Sequence, residues 1–396
     1  MAAKYQLITE LYRRTGVSVA KSPQAWQSFL SSACRNYKCR FDEQLLIYAQ
    51  RPDAVAVAEL GTWNKLFKRW VNKDSKGIAV FDPKGRRNTL KYYFDISDTH
   101  EGYYGSRPVP IWQMDERYEQ AVKERLSDRF GEIEETDLAE TLFKTAENAV
   151  EDNLPDYLSQ LKSVTQDSFL EGLDEYNIEV LYKRLAVNSV AFMLMSRCGL
   201  DVKEYFDRED FADIVNFNTP HTINAIGIAT SDISEMALRE ISAAIRNVQM
   251  EARGENRTFA PKSQSRYDVA ENSPKGVKIM SEITYTRQGD YLIPDLTLPT
   301  EPELPLGRYA MMHREYLEQH KRVTYLNLLT EGMLNQHLYE VEQTALKRLE
   351  LLTKQLSMEQ GVTEELKEKA PMQWVGLMNN IRSQAEEVIL TELIYS

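Results

Sequence analysis

A polar, proline-rich stretch at residues 259–306 constrains what this chain can fold into more than any other feature. It carries six prolines, in the segments FAPKSQSRYDVAENSPKG and IPDLTLPTEPELPLG. Because proline removes a backbone donor and interrupts helices and sheets, we predict a linker with one short ordered segment near residues 283–293. With 396 residues in all, the chain is long enough for separate domains that each bury a core of their own.

Residues 1–105 are predicted to form an α+β domain, because helical and strand-like patterns alternate along them. Residues 78–81 and 90–96 are short, β-branched and aromatic. The stretch DPKGRRN between them is rich in turn-forming residues, so the pair predicts a β-hairpin. Alternation along the second strand would send Tyr92, Phe94 and Ile96 to one face and Lys91, Tyr93 and Asp95 to the other.

Three helices are predicted before this hairpin. The Ser-Pro pair at residues 22–23 is typical of a helix start and predicts a helix over residues 23–36. Asp42 is placed to cap a short helix over residues 43–50. Thr62 is placed to cap a third helix, in which apolar residues recur at helical spacing. These residues are Trp63, Leu66, Phe67 and Trp70.

The rest of the chain carries helical patterns almost throughout. Residues 106–258 are predicted to form an acidic helical domain, with helices over 118–130, 138–150 and 180–195 and with helix starts at Thr219-Pro220 and Ser231-Asp232. Residues 307–396 predict three long helices, which are separated at Gly332 and at residues 361–363. The expected fold class is thus an α+β N-terminal domain followed by mostly α-helical regions, predominantly helical overall.

Several classes of protein are disfavoured by what the sequence lacks. No run of about 18 apolar residues could span a membrane, and the N-terminus has no signal-peptide pattern. We therefore expect a cytoplasmic protein. The motifs HExxH, GxxxxGK[ST] and GxGxxG are absent, so we predict no enzyme activity, no metal and no cofactor. Three cysteines and an acidic group (Asp207, Glu209, Asp210 and Asp213) are interpreted as plain thiols and as a solvated helix start.

Charge is segregated along the chain. Residues 1–100 hold 17 Lys and Arg against 9 Asp and Glu, whereas the remaining 296 residues hold 31 against 51. A net charge of −12 would argue against nucleic acid, but a basic N-terminal third can still attract a phosphate backbone locally. The basic, aromatic block at residues 41–99 is the only stretch that indicates a ligand.

Cations beside aromatic rings are what a single nucleic-acid strand requires, since phosphates need charge and unpaired bases stack on flat faces. The predicted hairpin and the loop before it provide both. We predict nucleic-acid contacts at Lys73, Lys76, Lys84, Arg86, Arg87, Lys91 and Tyr93. By contrast, Trp63, Phe67 and Trp70 are interpreted as core residues. For Lys65, Lys68 and Arg69, a solvated helix face and a DNA contact both remain open.

The run NYKCRFDEQLLIYAQRPDAVAVAELGTWNKLFKRWVNKDSKGIAVF, followed by YYFDISDT, resembles the N-terminal domain of the ArdC antirestriction family. The resemblance covers about residues 20–100 and implies a single-stranded DNA-binding module of mobile elements. Two departures are that Asp74 and Phe67 replace small family residues. ArdC proteins continue into a zinc peptidase domain, but this chain has no HExxH motif, so that activity is not carried over.

Two further resemblances concern the rest of the chain. The helical segment from DNLPDYLSQL to SDISEMALREI is similar to part of large conjugative-element proteins. The segment from YTRQGDYLIPDL to the end, about residues 280–396, resembles the transposon-encoded protein TnpV. Together they imply a truncated conjugative-element protein joined to a TnpV-like module.

The domains are therefore predicted at 1–105, 106–258, 259–306 (linker) and 307–396. The predicted function is non-enzymatic binding of single-stranded DNA in a mobile element, in a conjugative-transposon accessory or antirestriction-type role, with protein partners bound through the acidic helices. The alternative is an acidic helical adaptor or DNA mimic that does not bind DNA. It is favoured by 20 acidic against 10 basic residues at 101–200.

Overall fold

The computed structural model describes residues 4–83, 89–134, 137–252, 285–288, 290–294 and 304–395. These residues are predominantly helical, with strands concentrated in the N-terminal part, which confirms the predicted fold class. They divide into two compact units. The first contains residues 4–82 and the described residues between 89 and 294, and the second contains residues 304–395. No helix among the described residues is long and apolar enough to cross a membrane.

The N-terminal part of the first unit begins with three helices: α1 (Lys4–Val19), α2 (Pro23–Ala33) and α3 (Phe41–Gln50). The predicted start of α2 is confirmed, since the Ser22 side chain accepts a hydrogen bond from the backbone of Ala25 at the first turn. The predicted cap of α3 is shifted. Asp42 lies buried inside the helix, and Glu43 reaches back to accept the backbone N–H of Arg40 at 3.1 Å.

The predicted hairpin is confirmed. Strands β3 (Ile78–Asp82) and β4 (Thr89–Asp95) pair in antiparallel register, with Ile78 opposite Tyr93 and Val80 opposite Lys91. The short strand β1 (Val57–Glu59) pairs with the other edge of β4, which gives the strand order β1-β4-β3. The Gln50 side chain exchanges hydrogen bonds with both backbone groups of Ala79, so α3 satisfies part of the free edge of β3.

The third predicted helix is wrong at both ends: the helix begins at Leu60, so Thr62 lies inside it and forms no side-chain cap, and the helical turn ends at Phe67. Helix α4 (Leu60–Thr62) runs into a π-helical turn over Trp63–Phe67, and Lys68 then adopts left-handed backbone angles (φ 56°). The chain continues as strand β2 (Arg69–Val71), which pairs with β5 (Thr99–Glu101). Pairing with a strand about 30 residues away overrides the local helical spacing, and it removes Trp70 from the helix in which we had placed it.

Four longer helices follow in this unit: α5 (Glu116–Phe130), α6 (Leu138–Lys162), α7 (Glu175–Cys198) and α8 (Pro220–Ala252). Gly199 ends α7 with φ 83°, and Thr219 caps α8 by accepting the Thr222 N–H at 3.2 Å, as predicted. The second start predicted at Ser231 is wrong. Helix α8 continues through this position, and Ser231 is buried within it. The apolar residues before and after Ser231 keep the same helical spacing, so a single helix buries them all.

Helices from the N-terminal part and from residues 106–258 share one core. The Trp26 indole donates a hydrogen bond to Ser189 Oγ at 2.9 Å, and the Tyr12 hydroxyl donates one to Asn224 at 2.6 Å. All four side chains are buried. The boundary that we predicted near residue 105 therefore lies inside a single compact unit.

A short hairpin lies within the predicted linker. Strands β6 (Tyr285–Gln288) and β7 (Tyr291–Pro294) pair in antiparallel register, at the position where we expected a short ordered segment. Most of the other linker residues lie outside the described part of the chain. The hairpin belongs to the first unit, because β7 packs against β3.

The second unit is helical: α9 (Arg308–His320), α10 (Arg322–Glu331), α11 (Leu334–Glu359), α12 (Glu364–Lys369) and α13 (Pro371–Ile389). Gly332 and Gly361 have left-handed backbone angles at the predicted breaks, and Pro371 opens the last helix. The predicted first helix is divided at Lys321, which leaves the helical region (φ −127°, ψ 53°). The buried Glu342 of α11 accepts the Ala310 N–H at 2.7 Å, which satisfies a donor at the start of α9.

Candidate nucleic-acid interface

The loop between β2 and β3 carries two of the predicted contact residues. Lys73 and Lys76 are both exposed, and neither forms an ion pair with any residue that the structure describes. Asp74 between them has φ 64°, a left-handed conformation that aspartate tolerates better than most residues. The loop therefore keeps the turn for which a glycine would be expected, and it presents both ammonium groups to solvent.

The β6–β7 hairpin is bound to this loop through the backbone. Asp74 donates its N–H to the Asp290 carbonyl at 2.7 Å, and Gly77 donates to Leu292 at 2.9 Å. Leu292 in turn donates to Ser75 at 3.0 Å. Side chains add to this contact, since Arg287 pairs with Asp74 at 2.5 Å and Lys76 lies 5.0 Å from the centre of the Tyr285 ring.

A groove of about 250 Å³ opens where the loop, the end of α3 and the hairpin meet. Arg51 on its wall is held by Asp98 at 2.5 Å, so its charge is largely compensated. Asp53 and Lys76, which also line the groove, carry opposite charges. The mixed charge makes the groove a less suitable phosphate site than the exposed loop lysines. The lining residues are Gln50, Arg51, Pro52, Asp53, Lys76, Gly77, Ile78 and Tyr285.

Lys91 and Tyr93 lie side by side on β4, as the alternation predicts, but both side chains are bound to the buried Glu43. The Lys91 ammonium lies 2.7 Å from Glu43 Oε1, and the Tyr93 hydroxyl donates to the same oxygen at 2.9 Å. Lys91 also lies 5.0 Å from the centre of the Tyr93 ring. Both residues are thus part of an internal network, with the Lys91 side chain only 22% exposed.

The network has a clear electrostatic signature. Burial by itself would raise the pKa of Glu43, but the charges of Arg40 and Lys91 and the hydrogen bonds from Lys91 and Tyr93 lower it instead. Burial, followed by the Glu43 carboxylate, raises the pKa of Tyr93. The carboxylate is therefore held in its charged form, which strengthens its hold on both partners.

The remaining predicted contacts, Lys84, Arg86 and Arg87, lie outside the described residues. The residues that flank them, Asp82 and Thr89, form the last pair of the β3–β4 ladder. Lys76 precedes the opposite end of β3. At about 3.3 Å per residue, the two ends of this strand of 5 residues are roughly 13 Å apart. Asp82, the last β3 residue before these three cations in the chain, therefore lies at the opposite end of the strand from the loop that carries Lys73 and Lys76.

The sequence interpretation missed an exposed aromatic group on the β2–β5 ribbon. Trp70 was expected in the core with Trp63 and Phe67; Trp63 is buried and Phe67 is partly buried against it, but Trp70 is 46% exposed. Tyr103 and Tyr104, in the turn after β5, are 97% and 98% exposed. The doublet EGYYGS, aromatic residues between glycines, is the signal that could have drawn attention to this turn.

Other chemistry-bearing residues have structural partners. Asp207 and Asp210 accept backbone N–H groups of their own turn, and Asp213 pairs with Arg184. Among the described residues, no group of three or more His, Cys, Asp and Glu side chains could hold a metal ion. The three cysteines are free thiols, and burial raises the pKa of Cys34 to about 11 and that of Cys198 to about 12.

One comparison with known proteins gives a match. A family model described as transposon-encoded protein TnpV matches residues 284–394, which include the β6–β7 hairpin and nearly all of the helical second unit. No curated protein and no solved structure matches the chain. The match associates the C-terminal part of this chain with a mobile genetic element.

Proposed function

We propose that this protein binds single-stranded DNA as a non-enzymatic component of a mobile genetic element, in a conjugative-transposon accessory or antirestriction-type role. The resemblance of residues 20–100 to the ArdC N-terminal domain supplies the class of ligand. The TnpV match over residues 284–394 supports the mobile-element context. We further propose that the protein acts in the cytoplasm and needs no cofactor.

The observation that carries the proposal is the set of exposed lysines on either side of β2. Residues 65–76 contain five Lys and Arg and a single acid, Asp74; Arg69 within β2 pairs with Glu101, and the four lysines are exposed. Asp74 is neutralised by Arg287, whereas Lys73 is exposed and pairs with no carboxylate among the described residues. Unpaired cations close together repel one another, and a phosphate backbone would relieve this repulsion. The cations Lys84, Arg86 and Arg87 would add to the same attraction.

Salt dependence of binding tests this proposal. The full chain, titrated into a fluorescent oligothymidylate, should give a log K that falls linearly with log salt. Lys73→Ala should reduce that slope by about 0.7, because one fewer phosphate is neutralised on a single strand. Lys76→Ala, Arg86→Ala and Arg87→Ala should each reduce the slope by a similar amount. Lys203→Ala, which removes an exposed lysine from the acidic helical part, should leave the slope unchanged.

The same titration can reject the proposal. If the full chain does not bind a single strand even at low salt, the DNA-binding function is excluded. Capture of a basic protein partner under those conditions would instead favour the acidic adaptor or DNA mimic.

A further inference from the structure

Three aromatic side chains on the β2–β5 ribbon and in the turn after it are exposed. Trp70 is half exposed on β2, and Tyr103 and Tyr104 are almost completely exposed. The ring centres of Tyr103 and Tyr104 are 5.1 Å apart in an edge-to-face arrangement. Large aromatic side chains stabilise a protein mainly when they are buried, so a cluster of exposed rings needs another explanation.

The pairing of the ribbon fixes which side chains point outwards. Trp70 lies directly opposite His100, and directly opposed residues share a face. The other face is directed inwards, since Val71 belongs to the core around Trp63 and the Arg69 guanidinium donates to Thr99 Oγ1 at 2.7 Å. The outer face therefore presents an indole and an imidazole to solvent.

The turn that carries the two tyrosines is held against the ribbon. Gly102 donates its N–H to the Lys68 carbonyl at 3.4 Å, and Arg107 donates to Phe67 at 2.7 Å. Gly102 permits close packing here, because a Cβ at this position would lie 2.8 Å from the Trp70 indole nitrogen and the indole would have to shift. The indole thus rests against the backbone of the turn, and the tyrosines follow immediately in the chain.

Charge complementarity indicates the class of ligand. Lys68 immediately precedes β2, Lys73 follows it, and Arg107 closes the turn; all three are exposed, and none forms an ion pair with a residue that the structure describes. Of the two acids near these cations in the chain, Glu101 is engaged by Arg69 and by the Ser106 hydroxyl, and Asp74 is paired with Arg287. Flat rings flanked by free cations match unpaired bases on a phosphate backbone.

We propose that Trp70, Tyr103 and Tyr104 form the base-stacking surface for single-stranded DNA, with Lys68, Lys73 and Arg107 holding the phosphates. This inference rests on the proposed function and specifies where it occurs. Base stacking is thus assigned to these three exposed rings and no longer to Tyr93, whose hydroxyl is bound to the buried Glu43.

Alanine variants of the full chain test the proposal. Tyr103→Ala with Tyr104→Ala, and separately Trp70→Ala, should weaken binding to oligothymidylate about 5- to 150-fold per stacked base. The salt slope should stay unchanged, because no cation is lost. Trp70→Phe should retain most of the affinity, since it keeps a flat ring. Tyr176→Ala, which removes an exposed tyrosine from α7, is the matched control and should bind like the unmodified chain.

Four outcomes would count against it. If these variants bind normally while Lys73→Ala weakens binding, the stacking surface is rejected and the proposed function is retained. If the unmodified chain binds no single strand, both are rejected. Equal losses for duplex and single strand would exclude stacking, because duplex bases are already stacked. A dimer in sedimentation that the tyrosine variants dissociate would show instead that the surface joins two copies of the chain.

Discussion

Glu43 illustrates, at the scale of single residues, how one buried carboxylate removes neighbouring side chains from the available surface. Lys91 and Tyr93 are 48 and 50 positions further along the chain, yet both bind the same oxygen of Glu43. A strand pattern can indicate that they share a face. It cannot indicate that Glu43 of α3 packs against that face.

Replacing Glu43 with Gln should destabilise the β3–β4 region by about 2 kcal/mol, because Lys91 is left without its counter-charge in a largely buried position. Hydrogen exchange of β3 and β4 peptides would measure the loss. Glu10→Gln is the matched control. Glu10 pairs with Arg13 and Arg14 at the exposed surface, so its loss should cost well under about 1 kcal/mol. Equal effects would contradict the structural role of Glu43.

Two histidines of the second unit, His313 and His337, lie in close contact. The Nε2 atoms of His313 and His337 are 3.2 Å apart, and His313 Nδ1 lies 2.8 Å from the Ile394 carbonyl. Burial, followed by the charge of His313, lowers the pKa of His337, and Glu340 opposes this effect only in part. Folding therefore favours the neutral imidazole.

Because the folded pKa of His337 lies below its ordinary value of 6.5, the unfolded chain takes up the proton first as the pH falls. The stabilisation is fully present above pH 6.5 and is lost as the pH decreases towards the folded pKa. Hydrogen exchange of α9 and α11 peptides should show this loss between pH 7.5 and lower values. His337→Gln should reduce the pH dependence, and His320→Gln should leave it unchanged. The opposite order would contradict the assignment.

At the scale of elements, α8 joins regions that the sequence suggested were separate. Gly227 in this helix faces Phe41 of α3, and a Cβ on Gly227 would lie 2.2 Å from the Phe41 ring. The ring cannot retreat easily, because Phe29 packs edge-to-face against it at 5.8 Å. Glycine at this position thus permits the two helices to approach closely.

Gly227→Ala should therefore destabilise the first unit by about 1–3 kcal/mol, although alanine is the better helix former. Gly376→Ala in α13 has no neighbouring atom within 4 Å of the added Cβ, so it should stabilise the second unit by up to about 1 kcal/mol. Hydrogen exchange of each unit reports both changes. A stabilising effect at Gly227 would mean that α3 and α8 are not in close contact.

At the scale of the whole molecule, the chain consists of two compact units, and the TnpV match extends across part of both. The match begins at residue 284 and includes the hairpin that is bound to the β2–β3 loop of the first unit. It also covers almost all of the second unit. The family-like segment therefore contributes structure to the N-terminal part as well as a helical body of its own.

Limited proteolysis should reveal this organisation. From the polar, proline-rich composition of residues 259–306, we expect cleavage between about 260 and 300 that leaves two folded fragments. Cuts should avoid the β6–β7 hairpin, because Asp290 and Leu292 are hydrogen-bonded through their backbones to the loop at residues 74–77. Mass spectrometry of the fragments gives the cut sites. Resistance of the entire segment would contradict a division into two folded parts.

The sequence by itself determined what depends on neighbouring residues: the helix start at Ser22, the breaks at Gly199, Gly332 and Gly361, and the alternation along β4. These features follow from caps, left-handed turns and strand periodicity, which operate within a few residues. Only the tertiary structure decided what depends on distant partners. Pairing with β5 placed Trp70 on an exposed two-stranded ribbon. A hydrogen bond to Glu43 removed Tyr93 from the available surface. The loop at residues 74–77 bound a hairpin about 215 residues away, because hydrogen bonding and burial there outweigh local propensity.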